Sequence, residues 1–197
     1  MVRFECYHGT STEAARKILE EQRFLQSSKD EEWAGTGVYF FIDTDSYKEL
    51  ESKAYNNAEK WAIFHKRYKD FCVLQSEIEI DDASIFDLCN ENHLEEFHRF
   101  REWLYSEAAK RALIDGVKLE SLYSLPKKLD CLTINFICIE FGFSIVVRKC
   151  YIRSLSRIHG FPNYPKSDIP NCTILCIRDE KLILNTKCTN RKETSLS

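Results

Sequence analysis

The sequence predicts an α+β fold, and three observations indicate it. The chain has 197 residues, 44% of them apolar, which is enough for one domain with a real core. Strand-like segments occur near the start of the chain and again in its last third. Segments with apolar residues at helical spacing separate them. We therefore expect a single domain over residues 1–185, in which helices flank a sheet, and a flexible tail at residues 186–197.

The first third of the chain predicts a strand, a helix and a second strand. Arg3–Tyr7 has the pattern of a short strand that ends at a His-Gly pair. The spacing Thr10-x-x-Glu13 is that of a capping box, which predicts that a helix begins there. The polar stretch Phe24–Trp33 is expected to be a loop. Gly37–Ile42 is a nearly continuous apolar run, which is typical of a strand covered on both faces.

The centre of the chain predicts two helices around a third strand. Lys48–Tyr68 has helical character, and Phe71–Ile80 alternates apolar with polar residues, as a half-buried strand does. Asn92–Leu113 has the strongest helical pattern, and we expect Trp103 on it to lie in the core. We interpret this helix as an insertion at about residues 91–114, packed on one face of the sheet.

The last third predicts further strands. Cys131–Phe141, Ser144–Arg153 and Thr173–Ile177 are each interpreted as a strand. The connection Leu155–Asn171 is long, and long connections tend to carry function. Its aromatic and basic residues have two interpretations, a surface that holds an unstacked RNA base or an ordinary solvated loop. These residues are Arg157, His159, Phe161, Tyr164 and Lys166.

Composition excludes several classes of protein. The net charge of −3 provides no general basic field for duplex nucleic acid. No run of about eighteen apolar residues occurs, so no membrane span is expected. Nine cysteines are scattered through apolar runs, which favours buried reduced thiols in a cytoplasmic protein. The five-residue separation of His93 and His98 and the absence of Cys-x-x-Cys argue against a metal site.

Two short motifs point to a ligand site. Tyr7–Thr10 reads Tyr-His-Gly-Thr, and Gly35–Phe41 reads Gly-Thr-Gly-Val-Tyr-Phe-Phe. Glycine lets a ligand or a second backbone approach closely because it has no side chain. We therefore expect the rings of His8 and Tyr39, presented by two strands, to form the walls of a cleft for a flat polar ligand. The structural alternatives are a tight turn at Gly35–Gly37 and a Tyr39 that is plain core.

These residues resemble the ADP-ribosyltransferases, in particular the diphtheria-toxin-like and poly(ADP-ribose)polymerase-like branch. The resemblance rests on the two motifs, on Ala58-x-x-Trp61, and on a late strand followed by Asp179-x-x-x-Ile183. It implies a split, mostly antiparallel sheet flanked by helices, with an NAD-binding cleft between its halves. Within the family the chain is most similar to small bacterial enzymes that open with Tyr-His-Gly-Thr, several of which act as toxins or phage-defence effectors.

The resemblance also implies roles for individual residues. His8 would hold a ribose hydroxyl, Gly9 and Thr10 would belong to the NAD-binding segment, and the backbone of Gly9 would pair with the nicotinamide carboxamide. Tyr39 would stack on the nicotinamide ring. Trp61 would supply a second aromatic wall, and Asn57 would contact the carboxamide. No metal is implied, and NAD is the co-substrate.

The third family position departs from the pattern. It is a glutamate in the family, and the alignment places Ile174 there. An apolar residue at this position is typical of mono-ADP-ribosyltransferases or of inactive members, so polymer synthesis is not expected. Three acids elsewhere in the chain are candidate substitutes, namely Glu77, Glu79 and Glu140. An acid on the acceptor is the other possibility.

Three functions follow as expectations. The first is a mono-ADP-ribosyltransferase that modifies a protein or an RNA and is restrained by an antitoxin or other regulatory protein. The second is a catalytically degenerate module that binds a nucleotide or a partner, which Ile174 favours. The third is an NAD hydrolase, in which water is the acceptor.

Overall fold

Seven strands form one sheet in this protein, whose computed structural model describes residues 1–43, 53–114, 126–156 and 169–189. The strands are β1 (Val2–Ser11), β2 (Val38–Ile42), β3 (Phe71–Ile80), β4 (Ile85–Asp87), β5 (Ile145–Cys150), β6 (Cys172–Ile177) and β7 (Ile183–Cys188). Their order across the sheet is β4-β5-β6-β2-β1-β3-β7. Only β4 and β5 pair in parallel, and the other neighbours are antiparallel. The predicted α+β class and the mostly antiparallel sheet are confirmed.

Within the described residues, four α-helices pack on the two faces of this sheet. They are α1 (Thr12–Glu21), α2 (Lys53–Lys60), α3 (Glu91–Ile114) and α4 (Pro126–Phe141), and α2 continues into a π-helical turn at Trp61–His65. Buried residues of α2, α3 and α4 belong to the cluster on one face, together with Phe41 and Ile174. Ala15 of α1 and Phe24 belong to the cluster on the other face, together with Phe40. Alternate residues of the strands β1 to β6 therefore belong to two separate cores, whereas β7 has no buried residue.

The seam between β1 and β2 is short. Only Cys6↔Ile42 and Tyr7↔Phe41 are in register, whereas β1 pairs with β3 along all ten of its residues. The backbones of β1 and β2 are therefore unpaired beyond Tyr7 and Phe41, which leaves room for side chains and a cavity between them.

The segment Cys131–Phe141 is helical, so the predicted strand there is wrong. Its Thr, Ile and Phe residues favour strands locally, but local preference is weaker than packing. The buried positions Cys131, Ile134 and Ile137 recur every three residues and turn one side of α4 toward the core, while Ile139 is 75% exposed. Gly142 follows α4 at a φ of 74°, a left-handed conformation suited to glycine at a helix end.

The predicted start of the first helix is also displaced. β1 extends through His8 and Gly9 to Ser11, because its ladder with β3 continues to Phe71. The helix cap is then Ser11, whose side chain accepts a hydrogen bond from the Ala14 amide at 3.2 Å. Thr10 is a buried strand residue and has no capping role.

The tail predicted from Thr186 is wrong for its first three residues. Thr186–Cys188 are part of β7, which pairs with β3 with a register irregularity between Gln75 and Glu77. Cys188 forms a disulfide with Cys72, so two of the nine cysteines are not the reduced thiols expected. The other seven are free, and five of them are buried.

Two of the predicted segments lie outside the described residues. The basic and aromatic residues of the long connection lie at 157–168, and the remainder of the predicted tail lies at 190–197, both outside the described ranges.

The helix predicted at Asn92–Leu113 is confirmed as α3. Trp103 on it is 47% exposed, so its assignment to the core is wrong.

Candidate functional site

A cavity of about 340 Å³ lies at the seam between β1 and β2. Five of the sequence-predicted site residues line it, namely His8, Gly9, Tyr39, Trp61 and Ile174. Its volume is within the range of small-molecule sites in proteins. Thr10 and Asn57 are both 6% exposed and are not among the lining residues, so the structure does not bring them together with the others.

His8 is held by a hydrogen bond across the seam. Its Nδ1 lies 2.8 Å from the carbonyl oxygen of Tyr39, and because a carbonyl only accepts, Nδ1 carries the proton. In the neutral ring Nε2 is then a hydrogen-bond acceptor. The rings of Phe24 and Phe40 lie 5.6 Å from the His8 ring, measured between centroids. Burial lowers the pKa of His8, while the bond to Tyr39 opposes that shift.

The side chain of Tyr39 lies on the opposite face of the sheet. Tyr39 is adjacent to Phe40, and Phe40 shares the face of His8 because strand residues alternate. The Tyr39 hydroxyl accepts a hydrogen bond from the Ala34 amide at 2.9 Å and donates one to the Gly35 carbonyl at 2.5 Å. Burial raises the pKa of Tyr39, so the phenol stays protonated.

The expected clasp of a ligand between the His8 and Tyr39 rings is therefore wrong in its geometry. Both residues border one cavity, but they reach it from opposite faces of the sheet. The link between them is the bond from the His8 imidazole to the backbone of Tyr39. The Tyr39 hydroxyl forms two hydrogen bonds with the loop before β2, which hold the ring in place.

Indole and imidazole rings provide the aromatic surface of the cavity. Trp61 and His65 stack at 3.7 Å between ring centroids, with an angle of 9° between their planes. Trp33 meets Trp61 edge-on at 5.7 Å. The Lys66 ammonium lies 5.6 Å from the centroid of the Trp61 ring. The π-helical turn places Trp61 and His65 in this wall, and such turns are frequent at functional sites.

The loop between Ser27 and Gly37 closes another side of the cavity. Its ends are joined by two backbone hydrogen bonds, Ser27 to Gly37 at 2.8 Å and Gly37 to Ser27 at 3.0 Å. The side chain of Glu32 accepts a hydrogen bond from the Ser27 hydroxyl. The Trp33 carbonyl accepts one from the Arg148 guanidinium at 2.5 Å. The loop is thus fixed both where its two ends meet, at Ser27 and Gly37, and at Trp33 between them.

At Gly9 and Gly37, the absence of a side chain lets a neighbouring backbone approach closely. A methyl group on Gly9 would lie 1.9 Å from the carbonyl oxygen of Ala58 in α2. One on Gly37 would lie 2.6 Å from both the Cys176 sulfur and the Ile177 carbonyl oxygen in β6. Gly35 has a φ of 77°, which glycine adopts without strain. Of the two interpretations of these glycines, close approach of a second backbone is the one observed.

The acid that the resemblance would imply on β6 is absent from the cavity. Ile174 on β6 is 2% exposed, pairs in register with Phe41 and forms part of the lining. None of the considered substitutes lines the cavity. Glu77 binds Arg3 at 2.7 Å and Asn185 at 2.8 Å, and Glu79 and Glu140 are exposed. The acids that do line it, among the described residues, are Glu31 and Glu32.

Sequence reasoning missed Glu32, Trp33, His65 and Lys66 in the lining. The four-residue separation of Trp61 and His65 was the available signal, because residues four apart on a helix are neighbours. Glu32 and Trp33 lie in a polar stretch without periodicity, so only the fold of the loop reveals them. Nothing in their spacing marks them as neighbours of β1.

The described residues offer no metal site and no membrane helix. They contain no group of three or more His, Cys, Asp or Glu side chains arranged to hold a metal ion. None of the described helices is both long and apolar enough to cross a bilayer.

Comparison with known proteins identifies one curated relative and no family. An uncharacterized protein of Methanocaldococcus jannaschii is 32% identical over 97 residues, which is 47% of this chain and 40% of the relative. The similarity thus spans less than half of either protein. No family model matches the chain, and no solved structure matches it.

The lowered pKa of His8 predicts a pH dependence of stability. The unfolded chain takes up a proton near the ordinary value of 6.5, whereas the folded chain resists protonation. The stabilisation is therefore fully present above that value and is lost as the pH falls through it, by at most about 1.4 kcal/mol per pH unit. Urea unfolding of the wild type should show a larger loss between about pH 7.5 and about pH 5.5 than unfolding of His8→Gln. A matched change of the exposed His98 to Gln should leave the loss as in the wild type.

Proposed function

We propose that this protein is an NAD-dependent mono-ADP-ribosyltransferase, which transfers ADP-ribose from NAD to a macromolecular acceptor. The observation that carries the proposal is the cavity at the β1–β2 seam, with a histidine acceptor atom on one side and indole rings on another. The strand order and the short seam support the split sheet of the ADP-ribosyltransferases that the two motifs resemble.

The aromatic wall suits the nicotinamide end of NAD. Nicotinamide is flat and carries a positive charge in NAD, so it favours the face of an indole ring. Trp61 and Trp33 present indoles to the cavity, and stacking on such a ring contributes about 1–3 kcal/mol. The Lys66 ammonium beside Trp61 attracts the anionic diphosphate of NAD.

The imidazole of His8 suits a ribose hydroxyl. Its Nδ1–H is occupied by the Tyr39 carbonyl, which leaves Nε2 able to accept a hydrogen bond from a hydroxyl donor. The lowered pKa keeps the ring neutral near pH 7, so this acceptor persists. The Nε2 atom of His8 is therefore a hydrogen-bond acceptor before a ligand binds.

The chemistry is cleavage of the bond between nicotinamide and ribose, through an oxocarbenium-like transition state. Ile174 offers no carboxylate to orient an acceptor hydroxyl for chain growth, which supports single transfer over polymer synthesis. The acceptor class is protein or RNA. By the resemblance, the enzyme acts in the cytoplasm as a toxin or phage-defence effector and is restrained by an antitoxin-like partner.

Incubation with NAD labelled in its adenylate phosphate, in the presence of a cell lysate, tests the proposal. We expect label on protein or RNA with the wild type and its loss with His8→Ala. Trp61→Ala should weaken NAD binding about tenfold or more, because stacking is removed. Trp103→Ala is the matched control, since Trp103 is 47% exposed and lies outside the cavity lining.

Two alternatives give different outcomes in the same assay. The non-catalytic module is favoured by the apolar Ile174, and it predicts NAD binding without release of nicotinamide. The hydrolase predicts free ADP-ribose with no labelled macromolecule. Absence of NAD binding in the wild type, measured by calorimetry, would contradict the proposed function and both alternatives that use NAD.

A further inference from the structure

The proposed reaction needs a negative charge beside the ribose, and β6 does not provide one. As the nicotinamide bond breaks, positive charge develops on the ribose, and a fixed carboxylate is the usual means of stabilising it. The residues of β6 on this face are Cys172, Ile174 and Cys176, of which Ile174 lines the cavity, and none of them is acidic. Identifying the side chain that supplies this charge rests on the proposed function, since the charge is needed only if the site cleaves NAD.

We propose that Glu32, on the loop between Ser27 and Gly37, is the carboxylate that stabilises the ribose cation. Glu31 and Glu32 are the acidic side chains that line the cavity within the described ranges. Glu31 is exposed, whereas Glu32 is half-buried. A partly buried carboxylate interacts more strongly with a nearby cation than an exposed one does, because water screens it less.

Glu32 and Ile174 line the same cavity, and the charge of Glu32 acts on two groups of the face that Ile174 lines. Burial chiefly raises the pKa of Cys176, to about 12, and the charge of Glu32 adds to that increase. Burial also raises the pKa of Tyr39, and Glu32 again contributes in the same direction. Cys176 pairs with Tyr39 in register and is two residues from Ile174 on the same face. The loop therefore delivers an acid to the region where the strand has none.

Ser27 orients this carboxylate. The Ser27 hydroxyl donates a hydrogen bond to one oxygen of Glu32, and the Ser27 backbone is bonded twice to Gly37. Gly37 is fixed in turn against β6, where a side chain would meet Ile177. The carboxylate is thus positioned in the folded protein before NAD binds, which is the condition for effective electrostatic stabilisation.

The proposed step balances without any further reagent. The bond between the ribose C1′ and the nicotinamide nitrogen breaks, and its electron pair stays on that nitrogen, so neutral nicotinamide leaves. A lone pair of the acceptor forms the new bond to C1′, and the acceptor proton passes to water. Glu32 remains ionised and forms no covalent bond. Its contribution is charge stabilisation, so removing its charge should reduce the rate and leave binding of NAD largely intact.

Comparison of Glu32→Gln with Asp30→Asn tests this assignment. Each change removes one negative charge from the same loop, but Asp30 is exposed and lies outside the cavity lining. We expect Glu32→Gln to release nicotinamide about 100-fold more slowly than the wild type, with NAD affinity by calorimetry little changed. Asp30→Asn should keep the wild-type rate. Glu32→Asp, which retains the charge on a shorter side chain, should fall between them.

The outcomes separate this inference from the proposed function. If the wild type and Glu32→Gln release nicotinamide equally fast, Glu32 has no such role and the transferase proposal stands. If the wild type neither binds nor cleaves NAD, the proposed function fails and the inference fails with it. If thermal unfolding shows that Glu32→Gln does not fold, the rate at which Glu32→Asp releases nicotinamide decides. The carboxylate of Glu32→Asp is one methylene closer to the backbone, so a wild-type rate in this variant would overturn the assignment.

Discussion

Replacing Gly9 by Ala should lower the free energy of unfolding by about 3 kcal/mol, and by more if the strand cannot shift. The added methyl group would lie 1.9 Å from the Ala58 carbonyl oxygen and 3.3 Å from the Ala62 side chain. Both neighbours belong to the helical segment that packs over β1, so relief requires moving a helix from the sheet. The same movement would displace Trp61, which borders the cavity.

Denaturant unfolding of Gly9→Ala checks this result, with Gly142→Ala as the control. A methyl group on Gly142 meets nothing within 4 Å, although its φ of 74° imposes the backbone cost of a non-glycine residue. We expect the control to lose only about 1 kcal/mol, the typical cost of that conformation. Equal losses in the two variants would show that backbone conformation, rather than contact with Ala58, requires glycine at position 9.

Cys188→Ser should destabilise the protein by about 2–5 kcal/mol under oxidising conditions. The Cys72–Cys188 disulfide joins residues 116 positions apart, and a cross-link over a long loop restricts the unfolded chain strongly. It also holds the end of β7 against β3, next to the register pair Leu74↔Cys188. Loss of the bond therefore acts on both the unfolded and the folded state.

Unfolding with and without dithiothreitol separates the bond from the side chain. A reductant should lower the stability of the wild type to that of Cys188→Ser and leave the variant unchanged. Cys89→Ser is the matched control, because Cys89 is an exposed free thiol. A deficit of Cys188→Ser that persists in reductant would assign the effect to packing at position 188 and not to the disulfide.

Elements with their own periodicity could be predicted from the sequence. Phe71–Ile80 is a strand with the predicted bounds, since its alternation reflects one face that is buried and one that is partly solvated. The helix predicted at Asn92–Leu113 is present over Glu91–Ile114, but Phe97 is its one buried residue among the described side chains. In the strand, the pattern that identifies the element is produced by the same burial that stabilises it.

Elements that depend on distant partners could not be predicted. The residues of α4 favour a strand locally, and their helical form depends on packing against α3 and the sheet. β7 has a polar sequence without alternation, and pairing with β3 and a bond to Cys72 define it. Neither partner can be recognised from the segment itself.

That His8 and Tyr39 lie close together could be predicted, but the arrangement of their rings could not. The two motifs place His8 and Tyr39 at one cavity, because β1 and β2 are neighbours. Which face each ring occupies depends on register, and one position along a strand reverses it. The acid of the cavity is carried by a loop, where no periodic signal exists, so Glu32 emerged only from the folded chain.

The irregular pairing of β3 with β7 has a consequence for self-association. β7 is the last strand at one side of the described sheet, and such edges can template the addition of strands from other molecules. The register shift between Gln75 and Glu77, the positive φ of 51° at Asn185 and the exposed Lys187 make this edge uneven and charged. At the opposite edge, β4 has only three residues. Neither border therefore offers a long flat template for aggregation.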